Sequence, residues 1–233
     1  MAKQAFIQSI LKASGLAEKA GIRSHFNMNP NLPTDYVGRV RNLSYLEQWE
    51  LHDRHFWYHI KLEDQSLLYF KEDSFKYISS PFESLDSLDE YESRIKQELY
   101  DNNYPEEEIE LYLDDIEQQY QLYLETEARY GSYTPLRVDI HPEQYNKVSH
   151  PITHLHIGHG NESRLPIKKY MTPFAFTGFV IATFYPKNWE LLRQNNVLND
   201  DDFRALNTSL LHVHRENADH WCEVEEEQRF YLT

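Results

Sequence analysis

Two short stretches alternate strictly between apolar and polar residues, and they restrict the fold more than any other feature of the chain. In TPLRVDIHP, Leu136, Val138 and Ile140 point one way while Arg137, Asp139 and His141 point the other. In HPITHLHIG, Leu155 and Ile157 oppose His154, His156 and Gly158. A period of two belongs to half-buried strands of an antiparallel sheet. A loop of about a dozen residues separates the stretches. If the two strands pair, their apolar faces build the core together. Their polar faces merge into one surface carrying Arg137, Asp139, His141, His154 and His156.

Other segments fill in around this pair. The N-terminus interleaves charges with apolar residues, which predicts an amphipathic helix over about residues 3–20, stopped at Gly21, and not a secretory signal. Residues 44–78 read as strands: SYLEQWEL, HFWYHIKLE, SLLYFK and FKYIS are short, aromatic-rich and divided by polar turns. Thr172 and Pro173 suit the N-cap and first turn of a core helix ended by Pro186, with Phe176, Phe179, Val180, Thr183 and Phe184 on its buried face. A short helix is expected near Trp189–Arg193 and a longer one over about 201–217. The tail WCEVEEEQRFYLT reads as a final edge strand or as disordered. No apolar run approaches the ~18–20 residues that a membrane span needs. The expected location is cytoplasmic, with no membrane partner.

The net charge of −15 is local in origin. Residues 83–127 hold sixteen acids and two bases, so the rest of the chain sums to about −1. Residues 129–193 carry eight bases against four acids. A polyanionic partner elsewhere on the surface is therefore compatible with the overall acidity. Ile109, Tyr112, Leu113, Ile116, Tyr120, Tyr123 and Leu124 recur at helical spacing, which predicts one acidic helix of about six turns over 105–127. Its charged back is either a solvated face, a mimic of nucleic-acid charge, or a docking surface for a basic protein partner.

Together these readings predict a single α+β domain over residues 1–233. An antiparallel sheet of about five or six strands carries helices packed mainly on one face, and 83–130 forms an acidic helical insertion whose helix is peripheral.

The polar sheet face is where chemistry would sit. An His-x-His pair on a strand sends two imidazoles to one side, about 6–7 Å apart. That arrangement serves metal ligation by His154 and His156, with His141 or Asp139 completing three ligands. It also serves metal-independent acid–base catalysis, with His141 and Asp139 orienting the pair and Arg137, Arg164 and Lys168 binding phosphate. A third reading is a polar face with no reaction. Lys147, Lys168, Lys169 and Arg164 flank the strand as a basic shoulder. The cofactor expectation is none or a divalent metal ion. With seven glycines and neither G-x-G-x-x-G nor a P-loop, glycine-rich phosphate binding is not expected. One cysteine, Cys222, excludes an internal disulfide and thiolate clusters, and nothing adjoining it would activate a thiolate. His52, His55, His59, His212, His214 and His220 are peripheral to this reading, and only His59 shares the surface.

His-Leu-His-Ile is similar to the alternating pattern of histidine-triad proteins, but Gly158 stands where their third alternate histidine would be. The chain more closely resembles the uncharacterised bacterial family DUF2290. The resemblance rests on an H-P-x-x-H-x-H-x-G strand (His150, Pro151, His154, His156, Gly158), on Arg164 and Pro166, and on a P-x-x-F helix from Pro173 and Phe176 to Phe184-Tyr185-Pro186. Trp49, Leu51 and His55-Phe56-Trp57-Tyr58 extend it. The same strand-and-helix pattern is similar to toxin-like proteins of mobile elements, which implies a phage-defence or toxin–antitoxin setting. The leading expectation is a nuclease-like or phosphotransfer enzyme acting on nucleic acid or nucleotides. Its alternatives are a non-enzymatic protein-interaction module using the acidic helix, and a metal-dependent hydrolase.

Overall fold

The computed structural model describes residues 3–82, 86, 88–127, 133–146, 149–159, 163–194, 198, 204 and 206. In chain order these form α1 (Lys3–Lys19), β1 (Arg23–Phe26), α2 (Tyr36–Val40), α3 (Tyr45–Arg54), β2 (Ile60–Leu62), β3 (Leu67–Lys71) and β4 (Ser74–Ile78). Then come α4 (Leu88–Asp101), α5 (Glu106–Leu113), α6 (Ile116–Glu127), β5 (Leu136–Ile140), β6 (Thr153–Ile157), β7 (Leu165–Pro166), α7 (Pro173–Phe184) and α8 (Pro186–Gln194). They fall into two compact units, one of Met1–Ser79 with Thr134–Thr233 and one of Ser80–Tyr133. The helix expected over 201–217, the tail, Lys147, His212, His214, His220 and Cys222 lie outside the described residues.

The larger unit is α+β, as the alternation implies. Its seven strands pair antiparallel in sequence order from β1 to β7. The short edge strands β1 and β7 carry the count past the expected five or six. The two alternating stretches do pair: Arg137 lies opposite His156, Val138 opposite Leu155 and Asp139 opposite His154. Phe70, Phe75, Val138 and Leu155 turn to the apolar face, where α1 and α7 pack. Phe176 of α7 is fully buried against the rings of Phe70 and Phe75. Burial of one such side chain contributes roughly 1.5–3 kcal/mol.

Helix α7 begins as its sequence predicts. Thr172 Oγ1 accepts from the Ala175 amide at 3.1 Å, and Pro173 occupies the first turn. Helix α1 stops before Gly21, whose φ of +69° lies in the left-handed region that glycine adopts freely.

Two expectations are corrected. SYLEQWEL is not a strand but α3. Ser44 Oγ accepts from the Glu47 amide, and the Glu47 carboxylate accepts from the Ser44 amide at 2.7 Å. This reciprocal capping box satisfies helix-start donors that a strand would leave to a neighbour, and it outweighs the aromatic strand-like composition. The single acidic helix over 105–127 is two helices, α5 and α6. The chain turns at Asp114 and Asp115, and the Asp115 carbonyl accepts from the amides of Gln118 and Gln119 to start the second. Aspartate competes for backbone hydrogen bonds and so favours helix ends over interiors.

The smaller unit contains α4, α5 and α6. Arg94 is ion-paired with Asp86 at 2.8 Å and lies over the rings of Tyr91 and Tyr123. One cation thus organises both carboxylate and aromatic neighbours in the acidic segment.

Candidate functional site

The opposite face of the sheet is polar, as expected, but part of it is closed to solvent. His154, His156 and Asp139 are only 1%, 2% and 7% exposed. Alternation assigns a side chain to a face and does not say what covers that face.

Asp139 is the hub. Its Oδ2 accepts from Arg137 Nε at 2.8 Å and lies 3.4 Å from His156 Nε2, while its Oδ1 accepts from Ser74 Oγ at 3.0 Å. Burial pushes the carboxyl up. The His156 bond, the Arg137 charge and the Ser74 hydroxyl outweigh that and hold it well below the usual carboxylate range. Such a group stays ionised and accepts hydrogen bonds only.

The imidazoles are fixed by their neighbours. His154 Nδ1 donates to the Pro151 carbonyl at 2.8 Å, which leaves the lone pair on Nε2. Burial holds His154 at about 4, with the Pro151 bond acting the other way, so this ring is neutral at pH 7. His156 stacks edge to face with it at 4.8 Å, and His150 meets the other side of His154 at the same distance. The buried Nδ1 of His156 has no hydrogen-bond partner among the described residues. A buried polar atom left bare costs about 1–3 kcal/mol.

One donor atom each from Asp139, His154 and His156 lies within 4.8 Å of the other two. Two imidazoles and a carboxylate suit a divalent transition metal better than magnesium or calcium, which prefer all-oxygen shells. Metal-bound histidines ordinarily donate their other ring N–H to a carbonyl that fixes the tautomer, as His154 does to Pro151.

The remaining site residues distribute unevenly. Arg137 joins the cluster directly. His141 lies just past β5, where its Nδ1 sits 3.3 Å from Glu143 Oε1, and it is not among the converging donors. Arg164 is exposed and helps to lower the His150 imidazole, after burial itself. Lys168 is half-buried beyond β7. His159 packs edge-on to Tyr45 at 5.4 Å. Gly158 has a φ of +86°, so a third alternate histidine could be placed there only with backbone strain.

Sequence reasoning missed Ser74, Lys76, Tyr36 and His52. Lys76 donates to the Tyr36 oxygen at 2.8 Å, and Tyr36 in turn donates to His52 Nε2 at 2.8 Å. His52 Nδ1 donates to the Gln48 carbonyl at 2.6 Å. The S-x-x-E signature of α3 was the signal available for His52; nothing local announces Tyr36.

The pattern of the family described as Uncharacterized conserved protein (DUF2290) matches residues 29–230. The chain belongs to that family. The DUF2290 match starts after β1 and includes every residue of the Asp139–His154–His156 cluster. No curated protein and no solved structure matches the chain. Among the described residues, no helix is long and apolar enough to cross a membrane.

Proposed function

We propose that this protein is a metal-dependent nuclease-like or phosphotransfer enzyme, acting on nucleic acid or nucleotides at the Asp139–His154–His156 cluster. The carrying observation is the convergence of three buried donor atoms within 4.8 Å. The Pro151 carbonyl holds His154 Nδ1 and leaves the Nε2 lone pair for ligation, which supports the metal reading over metal-independent acid–base catalysis. Three protein ligands leave coordination positions for water and a phosphoryl oxygen. A bound ion would lower the pKa of that water. Hydrolysis there would form a bond from the water oxygen to phosphorus, break the bond to the leaving alcohol oxygen, and pass the water's proton to that alcohol. Arg137, already tied to Asp139, would neutralise the charge that grows on the phosphoryl oxygens.

Purified protein should carry about one transition-metal ion per chain by elemental analysis, and chelation should abolish phosphodiesterase activity. His154→Ala combined with His156→Ala should lose both metal and activity. Metal-free protein with full activity, or an active double variant, overturns the reading.

A second role is supported by the acidic segment, which would bind a basic protein partner. Leu111 on α5 is 71% exposed beside the Glu106–Glu108 run. Partner capture that is lost on deleting 100–128, while histidine-dependent activity persists, would separate the two roles.

A further inference from the structure

Arg137 links the cluster to a second feature of the same polar face. Its Nε serves Asp139, while the side chain also lines a cavity of about 330 Å³. Residues of α2, α3, β4 and β5 and the turn after β6 enclose this cavity. Three basic side chains line it, Arg41, Lys76 and Arg137, and no carboxylate does so among the described residues. In a chain of net charge −15 this is a local reversal of sign.

Lys76 is the informative group. Its half-buried ammonium has no ion-pair contact among the described residues, and it is steadied instead by the neutral Tyr36 oxygen. The Tyr36–His52–Gln48 chain of hydrogen bonds orients that oxygen. One N–H of the ammonium is so engaged, and the group offers three donors in all. A partly buried cation with no ion-pair contact gains when an anion reaches it. Burial, then the neighbouring Arg137, lowers Lys76 to about 8, with the Asp139 charge acting the other way. At pH 7 it is still protonated.

We infer that this cavity binds the phosphate of a single nucleotide, with Lys76 and Arg137 on the phosphate oxygens and Arg41 at the exposed rim. The phosphoester reading of the neighbouring cluster supplies the identity of the ligand, and the charge and shape of the cavity supply its place. A volume near the lower end of small-molecule sites fits one nucleotide unit and is too small for a duplex. Tyr45 and His159, in edge-to-face contact on the lining, offer an aromatic surface for the nucleoside.

Calorimetric titration of the full chain at pH 7 tests this with inorganic phosphate, a nucleoside 5′-monophosphate, and a short oligonucleotide with and without a terminal phosphate. The monophosphate should bind more tightly than inorganic phosphate. Lys76→Gln should weaken it about tenfold or more. Arg41→Gln, at an exposed position, should weaken it by a factor of about three without altering the circular dichroism spectrum. Binding of the mononucleotide alone identifies a free nucleotide as the source. Equal binding of the terminally phosphorylated strand identifies a strand end. His154→Ala with His156→Ala should lose activity yet retain nucleotide affinity, so the cavity and the reactive cluster can fail separately. The inference is overturned if wild-type protein binds neither phosphate nor nucleotide. It is also overturned if folded Lys76→Gln and Arg41→Gln variants both bind as wild type, or if binding disappears only in the histidine double variant.

Discussion

Asp139 and His154 stand directly opposite each other across the β5–β6 ladder, and both are closed to solvent. The pairing register alone brings a carboxylate beside the His-x-His strand, and Arg137 opposite His156 completes a charged set on two strands.

Asp139→Asn should therefore damage stability as well as chemistry. The substitution removes the charge on which Arg137, His156 and Ser74 converge and leaves Arg137 without its carboxylate. Loss of one partner of a buried pair costs about 3–5 kcal/mol, trimmed here because Arg137 is partly solvated. Urea unfolding should give a loss of roughly 2–3 kcal/mol on that basis. An unchanged midpoint would show that the network contributes nothing.

Acid should destabilise the fold well before carboxylates titrate. Burial lowers both His52 and His59 to about 4, aided at His52 by the Lys76 charge. The unfolded value is about 6.5, so above that pH neither state binds the proton and the stability is fully present. Between about 6.5 and 4 the unfolded chain takes up protons that the folded chain excludes, and stability falls with pH. The slope is roughly 1.4 kcal/mol per pH unit for each histidine. Urea midpoints from pH 7.5 to 4.5 measure it, and His59→Gln should make the slope shallower; identical slopes would contradict the assignment.

Ser44→Ala should cost about 1 kcal/mol by removing half of the α3 capping box. Because α3 carries His52, which holds Tyr36 over Lys76, the variant should also weaken nucleotide binding modestly. Thermal unfolding gives the first effect and titration the second. A stable variant with normal affinity would mean that Ser44 is dispensable.

Gly158→Ala should destabilise by about 1–2 kcal/mol although a Cβ there meets open space, because the backbone conformation alone is unfavourable. Full stability, read from the same denaturation curves, would contradict a strained φ at this turn.

What could be read in advance followed the range over which each signal acts. The period-two alternation of β5 and β6 and the Thr172-Pro173 start of α7 are local, and the structure reproduces both. Alternation also put Arg137, Asp139, His154 and His156 on one face. Their burial was not legible, since it depends on residues distant in sequence. Lys76 and Tyr36 are 40 positions apart and meet only because α2 and β4 face each other across the fold. SYLEQWEL misled because its aromatic content suits a strand, while its capping residues, which decided the outcome, lie at its first and fourth positions.

The strictly sequential strand order has a kinetic consequence. Each strand pairs with its chain neighbour, so β2–β4 and β5–β7 can form as two local hairpin series at low loop-closure cost. Only the β4–β5 pairing must wait for the long acidic segment to close. That late step brings Ser74 and Lys76 to Asp139 and Arg137. A nascent chain that has made both hairpin series already has Asp139 beside His154 and His156 but lacks Ser74 and Lys76, so the cationic cavity is completed only at this closure.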